Sequence, residues 1–187
     1  MLEKLEKLNE QAKGTIFEDF VREQVDIYRK QKQKELKKRN IHNKWIDQAD
    51  ALFHLFMEIC TDYQAQLEPF VAKAELTDRR EEDGVVLFTV TNFTDQTFSL
   101  HCADLHTLDD YEKLEDDAFV ETLDEEKEEG GVEFYFSRDE AVKTVKHSDI
   151  FPRKNPSAAF KKVVDPLILE LFKKSFDIES LLAKRDS

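Results

Sequence analysis

Glycine and proline are scarce in this chain, with four of each in 187 residues. Sharp turns are therefore few, and long regular elements are expected. The phosphate-cradling patterns G-x-G-x-x-G and G-x-x-x-x-G-K-[ST] are absent, which excludes the common glycine-rich nucleotide loops. Cysteine is limited to Cys60 and Cys102. There is no C-x-x-C and no H-E-x-x-H, so neither a disulfide framework nor a familiar zinc pattern is present. Both cysteines sit among apolar residues, as buried thiols of a protein kept in a reducing, cytoplasmic compartment. No apolar run approaches the roughly 18 residues needed to cross a membrane. The opening MLEKLEKLNEQAKG is a charged amphipathic start, not a secretory leader.

Charge and aromatic carbon fill the space left by these absences. Charged residues make up 37% of the chain, against about 25% in an average soluble domain. Fifteen Phe within an apolar fraction of 40% are enough for a packed core. The net charge of −13 is unevenly spread. Residues 1–75 are close to neutral, residues 76–150 carry 22 acids against 7 bases, and residues 151–187 are mildly basic. Twelve of the 21 residues at 109–129 are acidic: Asp109, Asp110, Glu112, Glu115, Asp116, Asp117, Glu121, Asp124, Glu125, Glu126, Glu128 and Glu129. A basic block opposes them at 29–39, with Arg29, Lys30, Lys32, Lys34, Lys37, Lys38 and Arg39 against one Glu. The two blocks either face each other, within the fold or across a dimer, or face separate partners.

Hydrophobic periodicity gives the architecture. Leu2, Leu5 and Leu8 predict a short helix that Gly14 interrupts. Thr15, with Glu18 three residues on, reads as a capping box. The helix it would open carries Phe17, Phe20, Val21, Val25 and Tyr28 toward the core. Asn40 to Asn43 reads as a break. A helix is expected over about residues 44–67, its apolar residues from Trp45 to Leu67 recurring at steps of three and four, and Pro69 ends or bends it. VVLFTVTN (85–92) and TFSLHCA (97–103) read as a β-hairpin. AFVETL (118–123) and VEFYF (132–136) read as a second, while VAKAEL (71–76) fits strand or helix equally. GG at 130–131 reads as a turn. Ser137 and Glu140 suggest a cap for a helix over RDEAVKTVKH. Asn155–Pro156 marks a helix start, and Asp165–Pro166 repeats the signal as a kink or restart of the last helical stretch.

The expected fold class is α+β: a helical N-terminal half, a small antiparallel β-meander in the middle, and C-terminal helices packing on it. Residues 1–70 form the helical part and a partner or self-association surface. Residues 71–187 form the α+β part, which holds the acidic segment 109–129. The two are expected to make one compact domain.

Function is less legible. His101, Cys102 and His106 are metal-capable residue types, with Asp104 between them and His54 and Cys60 elsewhere. On a strand, however, His101 and Cys102 point to opposite faces. The plain reading is an edge strand with one buried thiol. No catalytic motif and no cofactor signature is found. The leading expectation is a non-enzymatic acidic binding protein, acting as regulator, inhibitor or adaptor. It would recognise a basic protein surface through residues 109–129. The alternatives are a nucleic-acid-associated protein using the basic block 29–39, and a metal-binding protein or hydrolase using His101, Cys102 and His106. Homo-oligomers through the N-terminal helices are a further expectation.

Overall fold

A computed structural model of the chain describes residues 1–136 and 141–185. Helix α1 (Leu2–Ala12) is followed by one very long helix, α2 (Glu18–Leu67). Gly14 lies between them with φ +74, a conformation that a side chain resists. Thr15 is not the cap its sequence suggests. Its hydroxyl donates to the Ala12 carbonyl at 2.6 Å, and Glu18 Oε2 instead accepts from the Gly14 N–H at 2.7 Å. The residue before α2 is Phe17.

The expected break at Asn40–Asn43 does not occur, and α2 runs through it. Asparagine costs a helix only a few tenths of a kcal/mol, and burial of Ile41 next to it outweighs that. From Ile41 onward the α2 stripe is buried, as its periodicity predicts. The first turns behave differently. Between Glu18 and Gln33 only Val25 is buried, and Phe17 and Phe20, expected in the core, stay 61% and 65% exposed. The core simply does not extend that far along the helix.

Five antiparallel strands follow: β1 (Lys73–Arg79), β2 (Val85–Thr91), β3 (Thr97–Asp104), β4 (Gly131–Tyr135) and β5 (Lys143–Lys146). Their spatial order is their chain order, the meander expected of the middle region. The β2–β3 hairpin closes over Asn92–Gln96, where the side-chain Oδ1 of the buried Asn92 accepts from the Thr94 and Gln96 N–H groups. Inward residues of the central strands, among them Val86, Phe88, Leu100, Cys102 and Phe134, are buried. β3 is a central strand, so the edge-strand reading of residues 97–103 is replaced.

Short helices sit in the connections: α3 (Arg80–Asp83), α4 (Leu108–Lys113), α5 (Asp117–Thr122) and α6 (His147–Ile150). Two sequence expectations change here. AFVETL is helix α5, not a strand, because Asp116 caps it by accepting from the Ala118 N–H at 2.9 Å. Lys143–Lys146 is strand β5, not helix, because Val145 alternates into the core opposite Val132 while β4 offers an open edge. The cap residues Ser137 and Glu140 lie outside the described residues.

Helices α7 (Pro156–Ser175) and α8 (Ile178–Arg185) complete the chain. Asn155 caps α7, accepting from the Ala158 N–H at 3.0 Å, with Pro156 in the first turn. The helix passes through Pro166 without ending. Asp165 does not restart it; its carboxylate accepts from the Tyr63 hydroxyl at 2.5 Å and from Lys161 at 2.7 Å. Leu171 is buried, Leu167 and Phe172 pack at the edge of the core, and Phe176 stays largely exposed. One apolar cluster unites the second half of α2, the inner sheet face and α7, with Phe134 touching both Phe56 and Phe160. Residues from before and after position 70 thus share a core. Among the described residues no helix is long and apolar enough to cross a membrane.

Candidate functional site

The acidic and basic blocks meet within the fold. Residues 105–130 cross over α2, and a second, small apolar cluster fixes them there. Leu114 and Val120 are buried against Ile41 and Trp45, with Tyr111, Phe119 and Leu123 packed around them. The aromatic and aliphatic residues interleaved with the acids are these anchors. Around them the charges close. Lys38 pairs with Asp117 at 2.7 Å and donates to the Glu115 carbonyl at 2.9 Å, and Lys34 pairs with Glu121. Lys37 donates to the Leu123 carbonyl at 2.5 Å, Lys44 to the Glu125 carbonyl at 3.1 Å, and Asn40 to the Glu125 carboxylate at 2.9 Å. Lys38 holds the Asp117 carboxyl below the usual aspartate range.

The other acids divide in two. Asp110 closes a capping box with Thr107, Asp116 caps α5, and Asp124 takes Lys127 at 3.0 Å. Glu129 accepts from the Ser148 N–H and hydroxyl. Asp109, Glu112 and Glu126 remain exposed. In the basic block, Lys32 pairs with Glu35 at 2.7 Å and Arg29 lies 4.0 Å from Asp26, while Lys30 and Arg39 are exposed. GG at 130–131 is more than a turn. A Cβ on Gly130 would stand 2.4 Å from the Trp45 carbonyl oxygen, so the chain passes hard against α2 there.

Where the crossing segment leaves β3, it walls a cleft of about 1110 Å³. The back is α2, with His42, Ile46, Asp50 and Phe53. One lip is α3 with its flanks, Asp78 to Gly84; the other is α4, from Thr107 to Tyr111. Asp104 and Tyr135 complete it from β3 and β4. Among the described residues, seven carboxylates line this space against two guanidiniums, Arg79 and Arg80. Both are already engaged. Arg80 reaches Asp78 at 2.7 Å and Asp50 at 3.2 Å, and Arg79 pairs with Asp83 and with Glu82 at 3.4 Å. Arg80 also holds the Asp78 carboxyl below its ordinary value and lies over the Phe53 ring at 5.8 Å. Five negative charges remain in excess.

Asp104 is the innermost acid. Its Oδ1 accepts from the His106 N–H at 2.9 Å and its Oδ2 from the Tyr111 hydroxyl at 2.8 Å. Burial raises its carboxyl above the ordinary value, against the pull of both donors. Burial, with the adjacent Asp104 charge, raises the Tyr111 hydroxyl too. Tyr111 stands edge-on to Trp45 and to His42, and Trp45 stacks on His106 at 3.7 Å. The single tryptophan therefore lies directly behind the cleft wall.

The candidate metal residues are not brought together. Cys102 is buried in the core, and His101 lies on the opposite sheet face against Tyr135 at 4.7 Å. His106 is taken up by Trp45 and by the Glu129 carbonyl, 2.9 Å from its Nε2. Among the described residues no group of three or more His, Cys, Asp or Glu could hold a metal ion. Burial raises both thiols, so neither is primed as a nucleophile. Sequence reasoning missed the cleft. Its visible signal was DRREEDG (78–84), a charge-dense stretch ending in a glycine that follows a candidate strand. Comparison with protein-family models, curated proteins and solved structures finds no match to the chain.

Proposed function

We propose that this chain is a non-enzymatic binding protein that takes a basic segment of a partner protein into the acidic cleft. One observation carries the reading: a cleft of about 1110 Å³ lined, among the described residues, by seven carboxylates and by two cations that are already paired. Excess negative charge between low-dielectric walls attracts cations over long range and repels anionic partners. The walls add aromatic faces at His42, Tyr111 and Tyr135, against which the stem of a lysine or arginine can lie. Asp109 belongs to both the acidic segment and the cleft, so the segment's role is to build one wall and supply part of the charge. A regulator, inhibitor or adaptor works in this way, without chemistry of its own. Two buried free thiols suit action in the reducing cytoplasm. A nucleic-acid role for Arg29 to Arg39 is less favoured, because Lys34, Lys37 and Lys38 are spent on the crossing segment.

The test uses Trp45 emission as an internal reporter while an oligolysine peptide, or a neutral peptide of equal length, is titrated in. The expected result is saturable binding of the basic peptide alone, weakening as salt rises. Replacing Glu81→Gln and Asp109→Asn, both exposed and outside the ion pairs, should weaken it by roughly three- to tenfold. Equal response to both peptides, or no change in the double variant, rules the cleft out.

A further inference from the structure

The face of α2 that the acidic segment covers at Lys34 and Lys38 does not stop there. Stepping back by alternating fours and threes from Lys38 gives Lys34, Gln31, Ile27, Gln24, Phe20 and Phe17, a coiled-coil seam. Asp117 and Glu121 of α5 occupy the first two positions. The rest is bare: Phe17, Phe20 and Ile27 are 61%, 65% and 43% exposed. Helix α1 leaves this stripe open because it packs on another side of α2, where Val25 is buried and Val21 and Arg29 are half-buried. Three large apolar side chains in line on an uncovered helix face mark an interface.

The charges beside the stripe say what covers it. Glu23 and Lys30 occupy equivalent flanking positions one heptad apart. Both are exposed, and neither forms an ion pair among the described residues. When two such helices meet antiparallel, a flanking position on one faces the same kind of position on the other. Centred between Gln24 and Ile27, antiparallel self-pairing sets Glu23 of each copy opposite Lys30 of the other, and seats Phe20 against Gln31 and Ile27 against Gln24. We infer that the exposed stripe Phe20–Ile27 of α2 docks on the same stripe of a second copy of this chain, antiparallel, with reciprocal Glu23–Lys30 pairs. This interface is independent of the acidic cleft, and its two-fold symmetry makes it self-limiting.

Sedimentation equilibrium or light scattering over roughly 1–100 µM, a range suited to a modest interface, tests it. The expected result is a species at twice the 22.0 kDa chain mass. Phe20→Asp should leave only monomer. Lys30→Glu alone and Glu23→Lys alone should each weaken the dimer about tenfold by placing like charges together. The double swap, Glu23→Lys with Lys30→Glu, should restore it. A wild type that stays monomeric overturns the inference, as does a dimer indifferent to Phe20→Asp. Failure of the double swap to rescue either single variant overturns the antiparallel register.

Discussion

Truncation of Leu114 distinguishes the two forces that hold the acidic segment on α2. Leu114 is 2% exposed, in a cluster with Ile41, Trp45 and Val120. Leu114→Ala removes its apolar area from that cluster and leaves a cavity, a loss of about 2–5 kcal/mol. With a urea slope of about 2 kcal/mol/M, the unfolding midpoint falls by roughly 1–2.5 M. The ion pairs look more impressive but contribute little. Lys34 and Lys38 meet carboxylates whose side chains are 58% and 61% exposed, where water and salt screen the attraction. Replacing both lysines by Gln should therefore shift the midpoint far less than Leu114→Ala. Raising the salt concentration should shift the wild type little. Trp45 reports the segment directly, so its emission in Leu114→Ala should move to the red before global unfolding. If the double lysine variant loses as much as Leu114→Ala, charge holds the segment and this reasoning is refuted.

Further outcomes follow from the same geometry. Gly130→Ala forces a Cβ against the Trp45 carbonyl oxygen and should cost about 1–3 kcal/mol, read by urea denaturation. Gly14→Ala meets no atom within 4 Å but sits at φ +74, so only about 1–2 kcal/mol of backbone strain is expected; a Gly130→Ala protein as stable as the wild type would discredit the close approach. Asp104 has a folded pKa raised above its unfolded value, chiefly by burial. It therefore lowers stability as pH rises from the unfolded pKa through the folded one. Asp104→Asn keeps an acceptor for the His106 N–H and should remove that decline, which midpoints measured across acidic pH would reveal. Asp110 is depressed, first by the Thr107 N–H, so it adds stability above the unfolded pKa that is lost on acidification; Asp110→Asn should blunt that acid loss. Cys60 and Cys102 should resist alkylation until the protein is denatured, because burial raises both thiols; rapid modification of the native protein would contradict their placement.

Long periodic segments and matched hairpins were legible in the sequence, and short elements were not. Trp45 to Leu67 could be read because eight apolar positions repeat one period. The β2–β3 pair could be read because alternation and a polar turn agree. AFVETL and KTVK misled for one reason: four to six residues hold too little periodicity to separate helix from strand, and a cap or an open sheet edge decides. The continuity of α2 through Asn40–Asn43 was hidden because weak local propensity conflicts with the burial of Ile41, which only the tertiary structure supplies. The meeting of the charge blocks left a trace that could have been used. Lys34 and Lys38 are four residues apart, as are Asp117 and Glu121, and two helices crossing side by side match those spacings. The cleft left little trace, because α2, α3, α4 and two strands contribute to it from positions 42 to 135.

Helix α2 contains neither glycine nor proline over its 50 residues, the usual sources of a kink. At 1.5 Å per residue it is a rod of about 75 Å, with Phe20 and Asp50 about 45 Å apart along it. Whatever seats at the N-terminal stripe and whatever enters the cleft are thus held at a set separation by one continuous backbone. In the inferred antiparallel dimer the two acidic clefts would therefore stand at opposite ends of the paired rods, at a distance fixed by continuous backbone.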